Sequence, residues 1–167
     1  MLNFIKSVLK EVIIYTDGAC LGNPGPGGYA VVLLYGDKRK ELSGGFRLTT
    51  NNRMEILAAV EALRELKSKE KLNVTLHSDS RLLTDSVNKG WLEKWEAKNW
   101  KRSGNEKVLN KDLWLRLLDE LDKHNVKFKW VQAHVGIPEN ERCDVLSKMA
   151  AEQDNNNIDV EYEKLVK

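Results

Sequence analysis

Apolar and polar positions change period several times along the chain. From residue 11 to 16, then over GYAVVLLYG (28–36) and KELSGGFRL (40–48), β-branched and aromatic residues run between Gly-containing punctuation, which predicts three strands. Gly36-Asp37-Lys38 has the chemistry of a hairpin turn, so these strands are expected as antiparallel neighbours. Between Asn51 and Lys69 the period becomes helical. Ile56, Ala59, Val60, Leu63 and Leu66 share one face, and Thr50, Asn51 or Asn52 suits the cap. LNVTLHSDS (72–80) predicts a strand ending in small polar residues, and RLLTDSVNKG a helix closed by Gly90. After a tryptophan-rich stretch, NKDLWLRLLDELDKHN puts Leu113, Leu117, Leu118 and Leu121 on one helical face. VKFKWVQAH (126–134) alternates as a strand, and PENERCDVLSKMAAEQ opens with Pro138, a residue suited to the first helical position.

The order βββ-α-β-α-α-β-α predicts an α/β fold, a mixed sheet covered by helices with strand ends free to carry a site. At 167 residues one core is expected. MLNFIKSVLK reads as a short lead into the first strand. The stretch after Ala151, with five acids against two lysines, reads as a polar, solvated tail over 154–167. Apolar content of 41 % and charged content of 31 % suit an ordinary globular chain, and a net charge of +2 confines any basic footprint to a local patch. Two cysteines, Cys20 and Cys143, without a recognisable leader lead us to expect a reducing, cytoplasmic setting. No apolar run is long enough to span a bilayer, so no membrane partner is expected.

Four carboxylates sit oddly against this pattern. Asp17 follows an apolar run in YTDGACLGNPGPGG, where turn chemistry alone would account for it. Glu55 shares a helical face with Ala59, Ala62 and Leu66, so it is either exposed by the helix end or paired. A first-turn acid favouring the helix dipole is its plain explanation. Asp79 ends a strand inside SDS, where a helix cap is the plain explanation, and Asp144 on the following helical stretch passes for a surface acid. Together, two strand-end acids and two helix-opening acids can converge on one sheet edge. Carboxylates brought that close raise one another's pKa unless cations neutralise them, and a hard oxygen donor set favours Mg²⁺ or Mn²⁺. Two such ions suit phosphoryl displacement, the chemistry of a nuclease.

The stretches TDGACLGNPGPGGYA, TTNNRMEILAAVEAL, SDS, WLEKWEAKNWKRSG and AHVGIPENERCD resemble, in order and spacing, the motifs of bacterial type 1 ribonuclease H, over about residues 11 to 153. The resemblance implies a ribonuclease H-like fold with a five-stranded mixed sheet and helices on both faces. It implies endonucleolytic cleavage of the RNA strand of RNA–DNA hybrids, leaving 5′-phosphate and 3′-hydroxyl ends. It also implies two Mg²⁺ ions, or Mn²⁺, held by Asp17, Glu55, Asp79 and Asp144, with Asp17 bridging both. His134 would assist proton transfer or product departure. Asn23, Asn51 and Asn52 would meet the hybrid's minor groove, and Arg81, where the family usually has glutamine, would face the same substrate. Thr50 and Asn110 would form a pocket for a DNA phosphate, with Leu48 at the family's arginine position. Trp91, Trp95, Trp100, Lys101 and Arg102 fall in the family's basic handle, here a segment (89–112) of seven Lys or Arg against four acids. Glu93, Glu96 and Glu106 dilute its charge. Trp114 and Trp130 are expected in the core, His77 and His124 as structural residues, and the chain as a monomer with the hybrid as its partner. A hybrid-binding module without turnover and an integrase-like DNA nuclease are the rival readings.

Overall fold

A computed structural model of the chain describes residues 11–154 and 157–167. The lead segment 1–10 lies outside the described residues. Five strands form one sheet: β1 (Glu11–Cys20), β2 (Gly25–Tyr35), β3 (Lys38–Thr49), β4 (Asn73–Ser78) and β5 (Asn125–Trp130), in the order β3-β2-β1-β4-β5. β3, β2 and β1 pair antiparallel through tight connections, whereas β4 and β5 run parallel to β1, each entered through a helical crossover. Helices are α1 (Asn51–Arg64), α2 (Arg81–Asn88), α3 (Trp91–Ala97), α4 (Lys111–Leu121), α5 (Pro138–Glu152) and α6 (Val160–Leu165).

Both faces of the sheet are covered, because its central strands alternate between two cores. Val12, Ile14, Val31 and Leu33 point into the larger cluster, with Ile56, Ala59, Val60 and Leu63 of α1 and Leu113, Trp114 and Leu117 of α4. Ala30 and Val32 point the other way, onto Cys143 of α5, with Tyr15, Leu34 and Leu146 around them. Two glycines set how closely the helices approach. A Cβ at Gly18 would lie 2.5 Å from the Glu55 backbone nitrogen, and one at Gly28 would lie 2.4 Å from the Ser147 carbonyl oxygen. α1 and α5 therefore rest directly on strand backbone, on opposite faces of the β1–β2 pair.

Several predicted boundaries move. β1 runs on to Cys20, so Asp17 lies inside the strand, paired with Ala30, and does not end it. Pairing of β1 with β4 stops at Thr16–Ser78, however, so Asp17 is the first β1 residue beyond its parallel neighbour. β5 stops at Trp130, which leaves His134 four residues out in a loop at φ 57°. α1 ends at Arg64, ahead of the charged run Lys67–Lys71, and the tryptophan-rich stretch contains a helix of its own, α3.

The largest correction concerns the tail. Its described part is docked: α6 is capped by Asp159, and Asp159 is buried. Asp159 accepts from Arg53 Nε at 2.6 Å, from Arg53 Nη2 at 2.8 Å and from the Thr49 hydroxyl at 2.7 Å. Arg53, itself 2 % exposed, also donates twice to Asp112, at 2.9 and 2.7 Å. Arg47 forms a two-pronged pair with Glu163, and Asn157 closes on β3 through Arg47 N to its carbonyl and its amide to the Gly45 carbonyl. Acids that read as solvated charge are partners for arginines more than a hundred residues away.

Candidate active site

Three of the four predicted acids meet at the upper end of the β1–β4 seam. Asp17 comes from β1, Glu55 from the second turn of α1, and Asp79 from the residue after β4. Each offers a carboxylate oxygen within 4.8 Å of the other two. The local chemistry explains each placement. Asp17 Oδ1 accepts from the Gly18 amide at 2.8 Å, and the bare α-carbon of Gly18 lets α1 carry Glu55 down beside it. Asp79 is fixed by its flanking serines: Ser78 Oγ accepts from Ser80 N at 3.1 Å, and Ser80 caps α2 through Leu83 N.

The cluster is electrostatically loaded. Asp17 and Glu55 are buried, Asp79 half-buried, and none of the three forms an ion pair among the described residues. Burial and then the Asp79 charge push Asp17 up to about 7. Burial, followed by the charges of Asp17 and Asp79, holds Glu55 well above the usual carboxylate range. Asp79 is raised mainly by burial, against the opposing hydrogen bond from Asn140. Glu55 Oε2 is buried with no hydrogen-bond partner. Clustered hard oxygens, one of them without a hydrogen-bond partner and none in an ion pair among the described residues, fit a divalent ion of the Mg²⁺ or Mn²⁺ type.

Asp144 stands apart from the triplet. It lies in the second turn of α5, near enough for its charge to raise Asp17 and Asp79, but its Oδ2 accepts from Lys148 Nζ at 2.9 Å. His134 is exposed on the loop before α5, and its charge acts on Asp79.

A family model described as RNase H matches residues 9–152. The chain belongs to the ribonuclease H family, in its bacterial type 1 branch. Ribonuclease H of Syntrophus aciditrophicus is 64 % identical over 146 residues, covering 87 % of this chain and 83 % of the relative. Among solved structures, LC9-RNase H1, a type 1 enzyme, superposes with a TM-score of 0.77 at 30 % identity, covering 94 % of this chain and 81 % of that one. LC11-RNase H1 in complex with an RNA/DNA hybrid gives 0.64 at 25 % identity, covering 84 % and 96 %.

The substrate residues expected of a ribonuclease H divide into three groups. Asn23 Oδ1 accepts from Asn51 N at 3.0 Å, so these two asparagines adjoin at the start of α1, beside the cap Thr50 and exposed Asn52. Asn52, Trp95, Arg102 and Asn110 line one groove, and Asn110 Oδ1 faces Arg53 Nη1 at 3.4 Å. Lys101 and Arg102 are exposed on a short hairpin-like loop, bridged through Lys101–Lys107, with Arg102 paired to Glu106 at 3.3 Å.

The five tryptophans differ in burial. Trp100 is buried, and Trp95 packs between Trp91, Trp100 and Trp114 with ring centroids 5.7 to 6.5 Å apart. These indoles root the handle in the core, leaving Trp91 and one rim of Trp95 accessible. Trp114 is in the core as expected, but Trp130 is only half-buried. Its Nε1 donates to the Asp79 carbonyl at 3.1 Å, and the Arg81 guanidinium lies 3.5 Å from its ring centroid. Asn140, 2 % exposed, was not singled out from the sequence although it lies within AHVGIPENERCD; its side chain hydrogen-bonds Asp79. His77 stacks on Tyr15 at 4.5 Å, and His124 Nδ1 accepts from Leu72 N, both structural roles. Both cysteines are free: Cys20 donates to the Gly25 and Thr49 carbonyls, Cys143 to that of Tyr15.

Proposed function

We propose that this chain is an endonuclease that hydrolyses the RNA strand of RNA–DNA hybrids with two divalent cations, Mg²⁺ or Mn²⁺, leaving 5′-phosphate and 3′-hydroxyl ends. One observation carries the reading: Asp17, Glu55 and Asp79, from three separate elements, converge within 4.8 Å, and none of them is in an ion pair among the described residues. Such ions, when bound, polarise an attacking water and stabilise the leaving oxygen. Asp17, Glu55 and Asp79 would hold them, and Asp144, here paired with Lys148, would be the fourth carboxylate beside them. Asn140 and Trp130 keep Asp79 oriented from its side chain and its carbonyl respectively. His134, exposed beside these acids, is suited to moving a proton at the mouth of the site.

Substrate recognition follows the surface. Asn23, Asn51 and Asn52 present amides, which both donate and accept, to a minor groove displaying 2′-hydroxyls and base edges. Thr50 and Asn110 lie near the start of α1 and α4 for a DNA-strand phosphate, while Lys101 and Arg102 supply a modest electrostatic grip. The hybrid-bound relative supports this choice of duplex. The deciding experiment incubates purified protein with labelled RNA–DNA hybrid, duplex RNA and duplex DNA, with Mg²⁺ or with chelator. Cleavage of hybrid RNA only, and only with metal, is the expected result. Cleavage of duplex DNA alone would overturn the reading, and tight binding without cutting would make the chain a binding module.

A further inference from the structure

The chain has eight arginines, and seven of them are in ion pairs: Arg39, Arg47, Arg53, Arg64, Arg102, Arg116 and Arg142. Arg81 alone, among the described residues, has neither an acid partner nor a hydrogen bond from its guanidinium. It is nevertheless next door but one to Asp79, beside the cluster of three carboxylates that lie within 4.8 Å of one another. A free guanidinium there would be expected to fall onto a carboxylate. What withholds it is Trp130: the guanidinium carbon lies 3.5 Å from the indole centroid, a face-on stack. Trp130 is in turn locked by its Nε1 bond to the Asp79 carbonyl at 3.1 Å. The platform is thus hydrogen-bonded to the clustered acid, and the cation that lies over it is exposed, its guanidinium donors free of any protein partner among the described residues.

From this geometry we propose that Arg81, preorganised on Trp130, clamps a backbone phosphate of the RNA strand adjoining the one cut, and so determines substrate affinity. The proposal rests on the hybrid-cleaving reading above. A planar fork with pre-paid orientation matches a phosphodiester in two-pronged fashion, and the cation offsets the repulsion that the acid cluster exerts on an incoming backbone. A glutamine at this position would offer an amide to a base edge and no charge.

The test compares the parent with Arg81→Gln, Arg81→Lys and Trp130→Phe. Hybrid affinity is read by fluorescence anisotropy in chelator over a series of KCl concentrations, and kcat and KM are read in Mg²⁺. For Arg81→Gln the expected results are a Kd raised by about tenfold, as for loss of one charge-assisted contact, and a salt slope shallower by about 0.7–0.9, the value of one phosphate. Arg81→Lys should keep the parental slope but recover only part of the affinity, since it keeps the charge and loses the stack. Trp130→Phe should weaken binding at unchanged slope. A merely structural Arg81 would move the melting temperature and leave the slope alone. An Arg81→Gln protein with the parental slope and a Kd within twofold of the parent overturns the proposal. Whether the parent cuts hybrid is scored separately, so failure of the cleavage reading is distinguishable from failure of the clamp.

Discussion

Asp17 is the member of the cluster that a strand holds, with a carboxylate oxygen within 4.8 Å of those of both Glu55 and Asp79. Asp17→Asn removes a ligand while leaving the shape, so turnover of hybrid should fall by about 10²–10³-fold or more, the scale of losing one electrostatic group at a reaction centre. The same change relieves repulsion, so the metal-free variant should melt about 2–4 °C above the parent, as about 1 kcal/mol does at this size. A melting temperature well below the parent would mean that Asp17 is structurally required. A second prediction concerns pH. Asp17, Glu55 and Asp79 all have carboxyls raised in the fold, Asp17 to about 7. Folded protein therefore keeps protons that the unfolded chain releases near pH 4. The contribution of these protons to metal-free stability is present below about pH 4 and is lost as pH rises towards 7. Mg²⁺ competes for the same oxygens, so its stabilising effect should grow between about pH 5 and pH 8. Thermal melts with Mg²⁺ and with chelator at each pH check this, and an equal metal effect at both ends would contradict it.

Among the elements, the contact between β1 and α1 determines whether the site exists. A Cβ at Gly18 would meet the Glu55 nitrogen at 2.5 Å and the Met54 carbonyl carbon at 2.7 Å, both of them helix backbone that cannot swing aside. Gly18→Ala should cost about 1–3 kcal/mol by overpacking. It should also lower kcat more than it raises KM, because it displaces Glu55 and spares the duplex-binding surface. Enzyme kinetics alongside a denaturant titration separate the two effects. Strands and helices with clear periodicity were legible in the sequence, as in GYAVVLLYG and the leucine face of α4. Their ends were not, since β1 continues past Asp17 only because β2 still pairs there, a fact of registry and not of composition. The convergence of Asp17, Glu55 and Asp79 was legible through their odd settings and motif order, whereas the pairing of Asp144 with Lys148 was not. Trp130 and Asn140 were not, because an indole or amide acquires its meaning from what it faces, Asp79 in both cases. The docking of the last helix was likewise invisible, since Asp159 and Arg53 are 106 positions apart.

Over the whole molecule, Arg53 ties the ends of the fold together. Its guanidinium joins α1 to Asp112 of α4 and to Asp159 before α6, and it is almost wholly out of water. Asp159→Ala leaves that buried cation with one of its two acid partners. Loss of one side of a buried pair costs about 3 kcal/mol at the lower end of its range, because Asp112 remains, and should lower the melting temperature by about 6–12 °C. A loss below about 2 °C would show that water takes the place of Asp159. Because Asn110 borders the same guanidinium, the variant also tests whether disturbance at Arg53 reaches the groove, through KM for hybrid.

The contact of Asn157 with Gly45 and Arg47 has one more result. β3 is one of the sheet's two outer strands, and along its free margin the amides and carbonyls would otherwise invite a ribbon from a second molecule to zip on. Asn157 occupies two of those berths, the Arg47 amide and the Gly45 carbonyl. A version cut short after Gln153 should accordingly self-associate more readily than the 167-residue chain as concentration rises, visible as a faster growth of sedimentation mass.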